Sequence, residues 1–480
     1  MKDSKIIWIK AKIRLSAVAI LFAMLLGYSA QNNRSETVLE PTFYELSYHI
    51  DVKKELLSGS ATITIKNNSE KSITEIPFLL YKLFEVTGVE LSDVSIDYKQ
   101  EVKPFDDWNK FRANAITIKL PNALDQKQSI SIRVYYKGTL KGYEEAGLHY
   151  LKDNINPSFI ILRPDCLTYP IIGAPNISSL RHINTQKFNY RVSIDVPKEL
   201  HVVCGGKLVK QNTENESKLF LYESHEPDWR IDITIAKYKI YTSKGVTTYA
   251  FDEDLEKAKL VHKAMEDCMD LLTSWWGDVV IKDNFKLIQI PEGYGSQAGL
   301  NYILQTSAAF DDKRQLKEVY HEISHLWDVK NIEKFPSRWN EGLAMYSQFK
   351  VAEVLDKDIV EEDINKILVS LYDDTIVKEV AFKDYGYKNV TVYSYKVGLL
   401  FFWGLNELLG NDEFNALMKA FRVQYSNTGA TAEDFIAYVK KNTLKSNIGQ
   451  FIQDWYYTTD CCLNLNQYKT ITDIVNKYKI

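Results

Sequence analysis

From about residue 40 to 245 the apolar positions alternate along the chain. In "YELSYHIDV", Tyr44, Leu46, Tyr48, Ile50 and Val52 fall on one side. The runs "ATITIKN", "AITIKL", "SISIRVYY", "YRVSIDV" and "RIDITIAKY" repeat the habit. A period of two gives a strand one face in a core and one in water, and Asn, Asp, Gly and Pro clusters separate the runs. The pattern predicts a β-sandwich-like antiparallel domain over 38–245. After about residue 250 the period lengthens. "DEDLEKAKLVHKAMEDCMDLLTSWW" has helical spacing with acidic residues in its first turn. "FKLIQI" and "LNYILQ" read as short strands flanking "PEGYGSQAG", and from residue 311 nearly every segment is helical. The expectation for 246–480 is an α+β domain, with a small sheet ahead of a helical body.

At 480 residues the chain exceeds one compact core. Its 45% hydrophobic and 25% charged residues are ordinary for a folded globular protein, and no low-complexity linker or fixed-period repeat interrupts it. A net charge of −4 gives no reason to expect nucleic acid as a partner. The first thirty residues differ. "MKDSKIIWIKAKIR" carries five basic residues, an apolar run of fourteen follows, and then come the small Ser29 and Ala30. Residues 1–30 therefore read as a secretory signal. The run is short for a spanning helix, which needs about 20 residues. Tyr28, bulky where a cleavage site wants a small side chain, leaves an uncleaved N-terminal membrane anchor open. Either way the expected location is outside the cytoplasm. Five cysteines, three far apart and Cys461 beside Cys462, fit neither a disulfide framework nor a Cys-type zinc site. Buried thiols, with at most one bridge, are the better reading.

Two of the eight histidines lie within "VYHEISHLWDV", residues 319 to 329. Leu316, Val319, Tyr320, Ile323, Leu326 and Trp327 make an apolar stripe at helical spacing, with Asp312 as a candidate N-cap and Gln315 three residues on. His321 and His325, four apart, share the opposite face. Core histidines usually sit on the stripe; these point away from it. Two neutral imidazoles so placed can reach one zinc ion, and Glu322 between them can address a water instead of the metal. Zinc then still lacks a protein ligand, since a catalytic site takes three and keeps one position open. Downstream, "FPSRWNEGLAMYSQF" begins a second helix, with Ser337 as candidate N-cap and Glu341 in the first turn. A lone glutamate there has an innocent use, complementing the helix dipole. Gly293, Gly295 and Gly299 have neither dinucleotide nor Walker spacing. Close backbone approach to an extended peptide suits them better. No Gly-x-Ser-x-Gly elbow is present for a serine hydrolase.

"HEISHLW" followed by "WNEGLAMYSQF" resembles the aminopeptidase N-like family of gluzincin zinc metallopeptidases. Fifteen residues separate His325 from Glu341, a shorter loop than the family's. "YSYKVGLLFFWGLNELLGNDEF" is similar to the family's Tyr-x-Lys-Gly segment, with Gly398 matching and Val397 where lysine is usual. The resemblance spans most of residues 40 to 460, without the large C-terminal helical domain of longer members. It implies a thermolysin-like catalytic domain, one zinc per chain on His321, His325 and Glu341, Glu322 as general base, and Tyr395 as oxyanion donor. Tyr393, two residues earlier, is the rival for that last role. It also places Ser296 and Gln297 where the family has glutamate and asparagine, so its carboxylate for a substrate's free α-amine is missing. Gly295, Ser296, Gln297 and Gly299 are then the candidate substrate-binding residues. The implied activity is hydrolysis of peptide or protein substrates, with strict aminopeptidase action put in doubt. The alternative is an exported binding or scaffold protein with a structural or vestigial zinc site.

Overall fold

The strands "YELSYHIDV" and its neighbours do alternate. Tyr44, Leu46, Tyr48 and Ile50 are all 3% exposed or less. The computed structural model describes residues 39–479, apart from 184–185, 280, 282–283, 334–335, 358–359, 389 and 444. The signal or anchor read over 1–30 lies outside the described residues. An eight-stranded sheet runs from Lys207–Glu214 at one edge through Asn189–Pro197, Leu39–Asp51 and Leu56–Asn67 to Val94–Ser95 at the other. A four-stranded sheet built on Ile73–Tyr81 and Trp108–Leu124 shares its core, in which Leu46, Ile63 and Ile132 meet Ile76, Phe78 and Ile116. One departure from the antiparallel reading lies at the centre of the larger sheet. Leu39–Asp51 and Asn189–Pro197 pair in parallel, Tyr44 opposite Tyr190. Alternation reports which face is buried, and strand direction leaves no mark on it.

The strands Phe159–Leu162, His201–Cys204 and Ile233–Ala236 form a third sheet covered on both faces. Ile160 and Leu162 face the β-domain core, while Phe159 and Ile161 pack with Ile288, Ile290 and Leu304 of the next sheet. That next sheet has five strands, in the order Lys239–Ser243, Val246–Ala250, Phe285–Ile290, Tyr302–Thr306, Gln297–Gly299. Its first two strands are a hairpin. A division at 245/246 therefore cuts a hairpin turn, and the change of sheet comes between Ala236 and Lys239. Gln297–Gly299 is the edge strand, antiparallel to Tyr302–Thr306.

Among the helices of the body beside this sheet are α1 (Leu255–Trp276), α2 (Leu316–Ser324), α3 (Trp339–Leu355) and α4 (Tyr393–Leu409). α4 is apolar all round and buried along most of its length, as expected of a central helix. α3 and α4 cross where each carries a glycine. A Cβ on Gly342 would lie 2.5 Å from the Cα of Gly398, and one on Gly398 would lie 2.6 Å from the Cα of Gly342. No side chain fits between them, so the two backbones touch. Trp339 stacks on Phe435 beyond the crossing, ring centroids 5.0 Å apart. The Ser394 hydroxyl donates to the Ser337 carbonyl just ahead of α3. All five cysteines are buried and free, Cys461 and Cys462 included.

This crossing gives a signed stability test. Alanine is favoured over glycine in a helix interior by about 1 kcal/mol, yet overpacking costs about 1–3 kcal/mol. Gly398→Ala should therefore lower stability, read as a lower urea midpoint at unchanged slope. A variant more stable than the parent would show that the crossing has room.

Candidate metal centre and substrate cleft

α2 is fixed by its back. Val319, Tyr320 and Ile323 are buried, as is Trp327 in the 3-10 turn that extends the helix. Trp327 Nε1 donates to the Gly277 carbonyl at 2.8 Å, just past α1. The start of α2 differs from the expected capping box. Asp312 caps a short 3-10 turn, accepting from the Arg314 amide at 3.0 Å, and α2 begins only at Leu316. With the stripe anchored, His321 and His325 present their rings on the other side, centroids 5.0 Å apart and nearly perpendicular.

Glu341 meets them from the first turn of α3. Its Oε2 lies 3.5 Å from His321 Nε2 and 3.6 Å from His325 Nε2. One donor atom from each of the three residues falls within 4.8 Å of the others. His325 Nδ1 pairs with Asp328 Oδ2 at 2.7 Å. That partner makes Nδ1 the protonated nitrogen and leaves the Nε2 lone pair facing Glu341, the usual tuning of a metal-ligating histidine. Burial opposes charge on Glu341, but Arg338 beside it and a hydrogen bond from His321 outweigh that and hold it well below the ordinary carboxylate range. Two imidazoles and an anionic carboxylate converging in this way are a donor set that fits a zinc ion with a position to spare.

Ser337 is not the cap of α3. Arg338 occupies that position with φ 57°, and Ser337 Oγ finds no partner among the described residues. A left-handed arginine costs about 1–2 kcal/mol, and here it aims the side chain. The Arg338 guanidinium donates to Glu341 Oε1 and, at 2.9 Å, to Tyr395 Oη. Tyr395, near the start of α4, also lies parallel to the His321 ring, centroids 6.1 Å apart. Burial holds its phenol far above the usual value, so the proton stays on. The rival Tyr393 points elsewhere and donates to Asp374 Oδ2 at 2.9 Å. Glu322 makes no hydrogen bond or ion pair among the described residues. Burial pushes its carboxyl upward, with His321 and His325 pulling the other way.

The substrate-side residues divide. Ser296 turns its hydroxyl inward, accepting from Gln305 Nε2 at 3.0 Å and the Thr306 amide at 3.2 Å. Gln297 accepts from Arg230 Nη2 at 2.7 Å. Gly295 has φ 76° and Gly293 φ 84°, left-handed turns that favour glycine. Gly299 is buried against the Tyr302 ring, which fills the space a Cβ would need. Internal packing therefore explains Gly299, and the expected approach to a peptide does not. Arg338, Asp328 and Arg230, which contact the candidate site residues, are not singled out by the sequence. The first two had a signal, since Asp328 lies three residues after His325 and Arg338 three before Glu341. Arg230, 67 residues before Gln297, had none.

No family model matches the sequence, and no curated protein sequence does either. The fold does match. The described chain has the architecture of the M1 zinc metallopeptidases, multiple sheets followed by a helical part. The M1 zinc metallopeptidase of Deinococcus radiodurans superposes with a TM-score of 0.60 at 14% identity, covering 87% of this chain and 94% of that one. An alanine variant of that enzyme bound to a Tyr-Ser-Ala substrate gives 0.60 at 15% identity. Yeast LTA4 hydrolase gives 0.64 at 14% identity, covering 89% of this chain and 71% of that one.

The donor set predicts its own failure. Glu341→Ala should lose zinc on dialysis, because two histidines leave the site underligated, whereas Glu322→Gln should keep it. Asp328→Asn should weaken zinc affinity by roughly 10–100-fold by freeing His325 to rotate. Elemental analysis and a competitive chelator titration read all three. Full occupancy in Glu341→Ala would remove that residue from the site.

Proposed function

We propose that this chain is an exported zinc-dependent metallopeptidase, one zinc per chain, that does not demand a free amino-terminus. The observation that carries the reading is the convergence of His321, His325 and Glu341 beside an unpartnered Glu322. Zinc held by those three residues would supply Lewis acidity for a peptide carbonyl and acidify an attacking water. Glu322, its carboxyl raised by burial and without a hydrogen-bond partner among the described residues, is suited to take that water's proton and pass it to the leaving amine. Tyr395 keeps its proton and accepts from Arg338, which polarises the phenol toward donation. Its hydrogen bond to the carbonyl oxygen strengthens as negative charge develops there. A purely structural zinc site needs no general base and usually closes its fourth position, so the scaffold reading leaves Glu322 unexplained. The segment 1–30 carries the proposal of export, with cleavage or anchoring readable by N-terminal sequencing of the secreted or membrane fraction.

Ser296 and Gln297, where the resembled family has its amine anchor, offer no carboxylate to an ammonium group. Desolvating such a group without an opposing carboxylate is unfavourable by several kcal/mol. Ser296 is engaged with its own sheet, and Gln297 is held by a cation. Glu292 accepts from the Ala308 amide at 3.2 Å. Glu318, exposed one helical turn ahead of Glu322, is the rival anchor, its Oε2 3.5 Å from Thr306 Oγ1.

Glu322→Gln should keep fold and zinc but lose most turnover. Tyr395→Phe should lower kcat by roughly 10²–10³ with little change in KM, and Tyr393→Phe should not. For specificity, kcat/KM is compared for one peptide and its N-acetylated copy. Similar values are expected. A hundredfold fall on acetylation, about 2.7 kcal/mol, that Glu318→Gln abolishes would assign an amine anchor to Glu318 and overturn this part of the reading.

A further inference from the structure

Arg230 has no part in the chemistry above, yet it is a charged residue only 4% exposed. Its Nε and Nη2 pair with both carboxylate oxygens of Asp232, at 2.5 and 2.7 Å. Nη2 also donates to Asp165 Oδ2 at 2.8 Å and to Gln297 Oε1 at 2.7 Å. The Tyr302 hydroxyl donates to Asp232 from the next sheet. A bidentate pair buried at this depth fixes the guanidinium in place.

A guanidinium can only donate. Gln297 must therefore turn its Oε1 toward Arg230, and its Nε2 then faces the other way. Gln297 is half-buried on the edge strand Gln297–Gly299, which lies alongside α2, and Nε2 has no partner among the described residues. The edge of the catalytic sheet thus shows two N–H donors at the position where the resembled family has asparagine, next to the one where it has a carboxylate. Such a face suits a carbonyl oxygen and repels an ammonium.

We propose that Gln297 is a specificity-determining residue that donates from Nε2 to a substrate carbonyl, and that Arg230 is the positioning residue that orients it. This rests on the metallopeptidase reading and deepens it. The substrate class is a peptide acylated on the amino side of the scissile residue, an internal segment or an N-blocked chain. Asp165, partly open at 21% side-chain exposure, is committed to Arg230 and not to an ammonium.

The test compares the acetylated and free copies of one peptide on zinc-loaded parent, Gln297→Glu and Arg230→Lys. Each copy is also bound by calorimetry to the same proteins carrying Glu322→Gln, so the ratio is read whether or not chemistry proceeds. Glutamate at 297 would keep its contact to Arg230 and offer the cleft an acceptor in place of a donor. The acetylated-to-free ratio should fall at least about tenfold, through loss on the acetylated copy. Arg230→Lys, with one point charge in place of a planar fork, should raise KM for the acetylated copy and leave kcat in place, with an unchanged circular dichroism spectrum. An unmoved ratio in Gln297→Glu, or an equal loss on both copies, overturns the proposal. Failure of the zinc-loaded parent to turn over either copy, while the binding ratio behaves as stated, would instead count against the peptidase reading alone.

Discussion

The contact between Gly342 and Gly398 is the constraint on which the site depends. Glu341 precedes one glycine and Tyr395 lies one helical turn before the other, so the distance between those two side chains is set by how closely α3 and α4 approach. Any larger residue at the crossing would push the backbones apart, because the atoms it meets are main-chain atoms of the facing helix. The hydrogen bond from Ser394 to the Ser337 carbonyl sets the register of the same pair. Glu341 is thereby carried to the imidazoles of α2, whose own position is settled by Trp327 and the stripe behind it. A converging donor set needs side chains held to fractions of an ångström by packed elements, and here three helices supply that.

Arg338 closes the arrangement electrostatically. It neutralises Glu341 on the oxygen that does not face the histidines and touches the phenol that sits over His321. Its strained backbone is consistent with over-determination at a working site. Because Glu341 is pinned on one oxygen by a cation, its other oxygen stays ionised and directed at the histidines. A glutamate left to its burial would move toward the neutral acid and make a poorer ligand.

Much of this was legible in the residues. Period-two runs mark the buried faces of the β domain, and His321-Glu322-x-x-His325 marks the candidate ligand pair. Spacing alone leaves Glu341 an ordinary first-turn acid, and only the surrounding "WNEG" segment singles it out. What could not be read has physical reasons. The parallel pairing of Leu39–Asp51 with Asn189–Pro197 depends on a partner some 150 residues away. The strand Lys239–Ser243 looks like any other alternating run, and only its pairing with Val246–Ala250 assigns it to the five-stranded sheet. Asp312 and Ser337 are sensible caps by composition, but the helices are capped three residues and one residue later, at Gln315 and Arg338. Gly299 was legible as a tight position, not as one filled by Tyr302 from inside. Arg230 reaches its target through a fold contact that no local pattern announces.

The candidate metal ligands and the candidate substrate-side residues are therefore held by different parts of the fold. His321, His325, Glu341, Glu322 and Tyr395 all sit on helices of the second half, packed in one core. The strand Phe285–Ile290, the loop after it and the edge strand Gln297–Gly299 are instead tied to the β domain. Arg163, fully buried and paired with Asp153, donates to the Tyr294 carbonyl at 3.1 Å. Arg230 holds Gln297 from the segment ahead of Ile233–Ala236, and Lys286 Nζ donates to the Cys204 carbonyl at 2.6 Å. Each tie crosses between halves and is a buried cation, whose loss would leave an unpaired carboxylate or carbonyl inside the protein. Substitutions along this seam therefore act first on where the loop and the edge strand sit.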